Sequence, residues 1–244
     1  MPTISNPPHG KAAESLEIER KFEVPPGAHF PSAAEFASAG LALGPLETHE
    51  LHARYFDTAD GALARVRVAV RRREGGSDEG WHLKEKGERG TRELHWPLSP
   101  ELPAGLAHEL RLRIGDAVDA VVPLAELRTE RRTARLTDAN GIEVVELADD
   151  RVRASDLRDG EGVDRAWREW EAELMPGADP VWLERVAEVL ASAGAEPSPS
   201  SAKIARATGR LVEQALAAGS PPELVERLRE MDRLDREAAR RLGA

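Results

Sequence analysis

The sequence predicts an α+β fold: an antiparallel sheet of hairpin-joined strands, with helices interspersed and then gathered at the end. Three observations point there. At least five segments alternate strictly between apolar and charged residues, which is the period of a half-buried strand. Turn signals join two pairs of them as hairpins, and the helical patterns are interspersed and then gathered at the end of the chain. Closed into a barrel, such a sheet would turn each charged face inward.

Residues 1–14 are rich in Pro, Gly, Ser and Asn and are expected to form a disordered leader. The first strand is Leu16-Glu-Ile-Glu-Arg-Lys-Phe22, with Glu17, Glu19 and Lys21 on one face and Leu16, Ile18 and Phe22, with Arg20 among them, on the other. A helix follows from Pro31 to about Ala39. The longest alternating segment is 64–73, where Arg65, Arg67, Arg71 and Arg73 share one phase and Val66, Val68 and Val70 the other. A Gly-rich turn at 74–80 leads into Trp81-His-Leu-Lys-Glu-Lys86, with His82, Lys84 and Lys86 in phase, so the two segments read as a hairpin. Thr91–Trp96 is a further strand, stopped by Pro97, and Pro103 to about Ile114 a helix.

The second hairpin joins 130–136 to 142–147 through a turn containing Asn140-Gly141. Ala166–Leu174 then sets Glu169, Glu171 and Glu173 against Trp170, Ala172 and Leu174. Pro180 to about Ala193 is an amphipathic helix that Asp179 can cap. A Pro/Ser loop leads to a helix over 202–218, ended by Gly219. Ser220-Pro-Pro-Glu223 opens the last helix, with Leu224, Leu228, Met231 and Leu234 on one face for its own barrel or for a second copy in a homodimer.

Composition narrows the function. A formal net charge of −10 argues against a surface built for nucleic acid or an anionic membrane, yet 34 Lys and Arg allow a basic interior. Absence of Cys removes disulfides, thiolate metal sites and cysteine nucleophiles. No apolar run approaches the roughly 20 residues of a membrane span and no signal pattern opens the chain, so a cytoplasmic protein is expected. Phosphate-binding Gly loops, the nucleophile elbow and His-Glu-x-x-His are missing, and His49 and His52 are expected at the surface.

A stripe of arginines repels itself unless anions sit across from it, and the acids are segregated at Glu17, Glu19 and 169–173. That separation suits a metal–polyanion complex, with carboxylates on a hard cation and Arg and Lys on phosphate oxygens.

Glu17-x-Glu19-x-Lys21 resembles the signature of the CYTH superfamily, the triphosphate tunnel metalloenzymes, which includes class IV adenylyl cyclases, thiamine triphosphatases and inorganic triphosphatases. Tyr55-Phe-Asp-Thr58, Ala69–Arg73, Trp81–Lys86, Arg92-Glu93, Arg131, Glu169-x-Glu171-x-Glu173 and Ser201-Ala-Lys203 match in order. The resemblance implies a closed, eight-stranded antiparallel β-barrel with flanking helices, forming a triphosphate tunnel domain over 15–210, with a C-terminal helical extension over 211–244 and a polar lumen that binds a triphosphate or short polyphosphate with Mg2+ or Mn2+. By matching position, Glu17, Glu19, Glu171 and Glu173 hold metal, with Glu169 and Glu146 as outer candidates. Glu17, Glu19 and Lys21 carry catalysis, and Lys21, Arg71, Arg73, Lys84, Lys86, Arg131 and Lys203 grip substrate. Lys84 stands where relatives often carry Thr, and Thr129 where a Lys is often found. The implied activity is hydrolysis of a terminal phosphoanhydride by activated water. A non-catalytic polyphosphate or nucleotide binder and a class IV-type adenylyl cyclase stay open.

Overall fold

A computed structural model describes residues 12–25, 27–158, 163–200 and 202–243. Its strands in chain order are β1 (Ala13–Glu17), β2 (Glu19–Glu23), β3 (Ala42–Leu43), β4 (Glu47–Asp57), β5 (Val68–Glu74), β6 (Gly80–Lys86), β7 (Thr91–Trp96), β8 (Val122–Thr137), β9 (Glu143–Asp156), β10 (Asp164–Leu174) and β11 (Glu196–Pro197). The helices are α1 (Ala33–Ser38), α2 (Ala62–Arg65), α3 (Ala104–Ile114), α4 (Val181–Ser192), α5 (Lys203–Ala207), α6 (Leu211–Ala217) and α7 (Pro222–Gly243), and a 3-10 helix spans Gly115–Ala120. Most of the expected leader lies outside the described residues. Its end does not, and Ala13 and Glu14 are part of β1.

All strands belong to one strongly curled antiparallel sheet, in the order β1-β7-β6-β5-β4-β8-β9-β10-β2-β11, with β3 on β8. The expected count of eight becomes eleven for simple reasons: β3 and β11 are two-residue additions, and the first strand is split at Ile18. The closed barrel is replaced by a half-barrel in which β1 pairs with β7 and β2 with β10. Only Ile18 separates them. Its carbonyl accepts from Leu174 N at 2.9 Å, so the chain leaves one ladder and enters the next within one residue.

The sequence misplaced two strand starts: β8 begins at Val122 rather than at 130, and β5 at Val68. The stripe from Arg65 to Arg73 is not continuous, because Ala62–Arg65 is helical and Arg67 has φ of +59°. Asp57 dictates this: its carboxylate accepts from the backbone N–H groups of Leu63 at 2.8 Å and Ala64 at 3.1 Å, and so caps α2. Arg65 is left exposed, paired with Asp60, while Arg71 and Arg73 keep the inward phase of β5. The helix expected over 202–218 is likewise two, α5 and α6, separated at Thr208–Arg210 around Gly209.

Apolar cores sit on both faces. Outside, α1 and α4 cover Phe22, Leu147 and Trp170, and α3 covers Val70, Trp81, Leu83 and Trp96. Each fully buried side chain of this size contributes about 1.5–3 kcal/mol. On the concave face Ala53, Tyr55, Leu127, Val152 and Trp167 form an apolar patch with Ala207 and Ile204 of α5. The polar part of that face is left as a cavity. Among the described residues no helix is long and apolar enough to cross a membrane.

Candidate functional site

Strand alternation aims side chains from β1, β2, β5, β6, β8 and β10 into one cavity of about 1020 Å³, and α5 adds Lys203. The structure brings together every residue expected there: Glu17, Glu19, Lys21, Arg71, Arg73, Lys84, Lys86, Arg131, Glu171, Glu173 and Lys203 all line it. Glu146 lines it too, whereas Glu169 is buried behind the wall. Lys86 makes no ion pair among the described residues.

Beside α5 lies a tightly paired cluster. Asp150, Glu169 and Glu171 each bring a carboxylate oxygen within 4.8 Å of the others, a spacing that could hold a metal ion. Lys203 Nζ already sits among them, 2.7 Å from Asp150, 2.7 Å from Glu169 and 2.9 Å from Glu171. Arg131 donates two bonds to Asp150, at 2.7 and 2.6 Å, and one to Glu171 at 2.7 Å. Lys21 bonds Glu171 as well. Burial pushes Glu171 up, but Lys203, Lys21 and Arg131 outweigh it and hold the carboxyl well below its ordinary range. Burial pulls Lys203 down, and Asp150, Glu169 and Glu171 more than reverse that. This cluster is close to charge-satisfied.

The acids at the β1/β2 junction are not. Glu173 pairs in register with Glu19 of β2 and Glu146 of β9, and it receives no ion pair among the described residues. Burial, then the neighbouring Glu17, push its carboxyl up to about 7, and Glu19 and Glu146 add to the effect against the pull of Lys84. Lys84 is 2.6 Å from Glu17, and Lys21 is 3.0 Å from Glu19. Glu17 is itself raised, first by burial and then by the adjoining Glu93 carboxyl. Such an all-oxygen donor set fits a hard divalent cation.

Arg73 shows the mirror image, whereas burial pulls Arg71 down but Tyr55 and Glu93 more than reverse that. Arg73 is pushed down to about 9 by burial and by the guanidinium groups of Arg71 and Arg131, although Asp78 pairs with it. Neither Arg71 Nε nor Arg73 Nε has a hydrogen-bond partner despite burial. Burial would raise the Tyr55 hydroxyl, but neighbouring Arg71 brings it below the ordinary phenol value. These are donors short of an acceptor.

Some positions of this candidate site escaped the sequence. Asp150 is fully buried, but the expected strand ended at 147, before Asp149-Asp150. His49 lines the cavity rather than the outer surface, because β4 places its odd-numbered residues inward. Glu93 and Asp78 supply anions to the arginines, from β7 and from the β5–β6 turn. The Arg92-Glu93 match was the available signal for Glu93.

The CYTH domain pattern matches residues 15–206. The chain belongs to the CYTH domain family. Two uncharacterized proteins of Mycobacterium tuberculosis, from strains CDC 1551 and H37Rv, are each 35% identical to it over 227 residues, covering 87% of this chain and 44% of their own length. This CYTH chain thus spans less than half the length of the curated relatives it matches. Among solved structures, a Bacillus halodurans protein described as a candidate adenylate cyclase superposes with a TM-score of 0.52 at 21% identity, over 79% of this chain and 97% of its own. A Hippeastrum protein described as a candidate adenylyl cyclase with dominant triphosphatase activity gives 0.47 at 21% identity, over 86% of this chain and 99% of its own. The first likeness agrees with the CYTH fold.

Proposed function

We propose that this CYTH domain is a metal-dependent hydrolase of a compact triphosphate, inorganic tripolyphosphate or a similar organic triphosphate, in which water attacks the terminal phosphorus. One observation carries the reading. A single cavity holds Glu173, abreast of Glu19 and Glu146 and driven up by burial and then by its acidic neighbours, and Arg73, its Nε without a partner, driven down by burial and then by its basic ones. A metal–triphosphate complex supplies both missing charges at once.

Glu17, Glu19 and Glu173 are the carboxylates that would hold the cation, Glu173 without an ion pair among the described residues and Glu17 and Glu19 each held by a single lysine, with Glu146 beside them. Glu171, the fourth residue expected there, is the most heavily engaged by Lys21, Lys203 and Arg131. When bound, Mg2+ or Mn2+ supplies charge neutralisation and Lewis acidity toward phosphate oxygens and water. Arg71, Arg73 and Lys86 bind the phosphate chain, and Lys21, Lys84, Arg131 and Lys203 are the further donors. Their work is positioning and stabilisation of the charge that develops on the bridging and equatorial oxygens. No covalent protein nucleophile is required. Residues 15–210 form the triphosphate unit in this reading, and 211–244 an extension that supports it.

The test is phosphate release from tripolyphosphate, ATP and thiamine triphosphate with Mg2+ or Mn2+, run beside Glu19→Ala. Release that depends on metal and on Glu19 supports the hydrolase. Cyclic AMP from ATP would assign a class IV-type cyclase, and tight binding with no product a polyphosphate- or nucleotide-binding module. Equal activity of Glu19→Ala and wild type would overturn the site.

A further inference from the structure

Helix α5 has only five residues, far below the length at which a helix is stable alone, and its N-terminus has no side-chain cap. It nevertheless delivers Lys203 to the cavity wall. The residue one turn on, Arg206, is 3% exposed and does not line the cavity. Its Nε and Nη2 donate to Asp235 of α7 at 2.7 and 2.9 Å, and its Nη1 and Nη2 to Glu23 of β2 at 2.8 and 3.0 Å. The guanidinium also stacks over the Trp167 ring, 4.6 Å from its centroid.

Lys203 and Arg206 meet again at Glu169. Lys203 Nζ is 2.7 Å from one carboxylate oxygen, and Arg206 Nη1 is 3.7 Å from the other. The same turn of α7 holds the far end of α5. Asp232 accepts from Arg165 Nε at 2.7 Å, and Arg165 Nη1 donates to the Ala207 carbonyl at 2.9 Å. Gly209, at φ of +66°, makes this approach possible, since a Cβ there would lie 2.2 Å from Arg165 Nη2.

From this geometry we infer that Asp235 and Arg206 are positioning residues: α7 holds Arg206, Arg206 holds α5 and Glu169, and these fix the Lys203 ammonium at the cavity. The inference deepens the proposed function and rests on it for the triphosphate, but the placement of Lys203 can be read without any turnover. Breaking the Arg206–Asp235 pair would remove the direct ion pair between α5 and α7 and leave Arg206 held by Glu23 and Glu169, so Lys203 would leave its carboxylates more often.

The experiment uses the full chain as Asp235→Ala and Asp235→Asn, the latter isosteric and suited to the measurement should the former not fold. Lysine acylation is followed by peptide mass spectrometry, and tripolyphosphate binding by calorimetry in EDTA. Leu228→Ala serves as the comparison, since it loosens α7 from the buried apolar side without removing a charge. Lys203 acylation is expected to rise about tenfold or more in the Asp235 variants, and tripolyphosphate Kd about tenfold, as for loss of a charged hydrogen bond. Leu228→Ala should lower Tm while leaving Lys203 labelling within about twofold of wild type. Unchanged Lys203 labelling in the Asp235 variants would overturn the inference, as would equal labelling in Leu228→Ala at matched Tm. A wild type that fails to bind tripolyphosphate, with the labelling contrast intact, would sink the proposed function and leave the positioning role standing.

Discussion

Glu173 stands directly across the β2–β10 ladder from Glu19, with Glu146 its partner on the other side, so three carboxylates lie abreast on adjacent strands. Like charges opposite one another destabilise a sheet, and while Lys21 pairs with Glu19 and Arg135 with Glu146, Glu173 between them makes no ion pair among the described residues.

That arrangement sets a pH dependence. Glu173 titrates near 7 when folded and near 4.5 when unfolded, so between these values the folded state holds a proton that the unfolded chain has lost. Its stabilising contribution is present below about pH 4.5 and is lost as pH rises through 7. Melting curves in EDTA should show this loss for wild type and a shallower one for Glu173→Gln. A divalent cation should restore Tm at pH 8 in wild type and less in the variant.

Glu19→Ala should reduce metal-dependent phosphate release by about two orders of magnitude or more, the scale of losing preorganised electrostatic stabilisation. Its tripolyphosphate affinity in EDTA should fall little, because Arg71, Arg73 and Lys86 remain. Parallel kinetics and calorimetry separate the two effects. Equal losses in both would mean that Glu19 shapes the cavity rather than serving the metal.

Arg73→Ala should act on the other side of the balance. Removing one charged donor costs about 1.5–3 kcal/mol of substrate interaction, a rise in KM of about tenfold to a hundredfold with kcat less affected. Steady-state kinetics across a substrate series would show it. The same variant relieves repulsion with Arg71 and Arg131, so its Tm without ligand should not fall in proportion.

Gly90→Ala should destabilise the fold, by about 2 kcal/mol or more, since forced overpacking typically costs 1–3 kcal/mol. Gly90 has φ of +149°, and a Cβ on it would come within 2.4 Å of the Glu17 carbonyl. Urea unfolding of Gly90→Ala against wild type measures the effect. A change below about 0.5 kcal/mol, the ordinary surface range, would show that β1 has freedom to retreat.

Alternation made much of the site legible. Lys84 and Lys86, Arg71 and Arg73, and Glu171 and Glu173 sit at two-residue spacings on well-formed strands, and each pair faces the cavity. Arg65 was misread because valines continue the alternating pattern through Val66, whereas a long-range carboxylate, Asp57, makes the preceding turn helical. Asp150 was missed for a related reason. Adjacent aspartates are poor strand formers, yet here each has an arginine partner: Asp149 takes Arg168 on one face and Asp150 takes Arg131 on the other. The split of the first strand at Ile18 depends on which neighbour each half finds, and no single segment carries that information.

Glu17 belongs to the β1–β7 ladder and Glu19 to the β2–β10 ladder, and a single residue stitches the two together. Any opening of that seam draws the two acids apart. Cation occupancy and closure of the sheet should therefore be a single event, with bound cation slowing exchange of the Leu174 amide that bridges to Ile18.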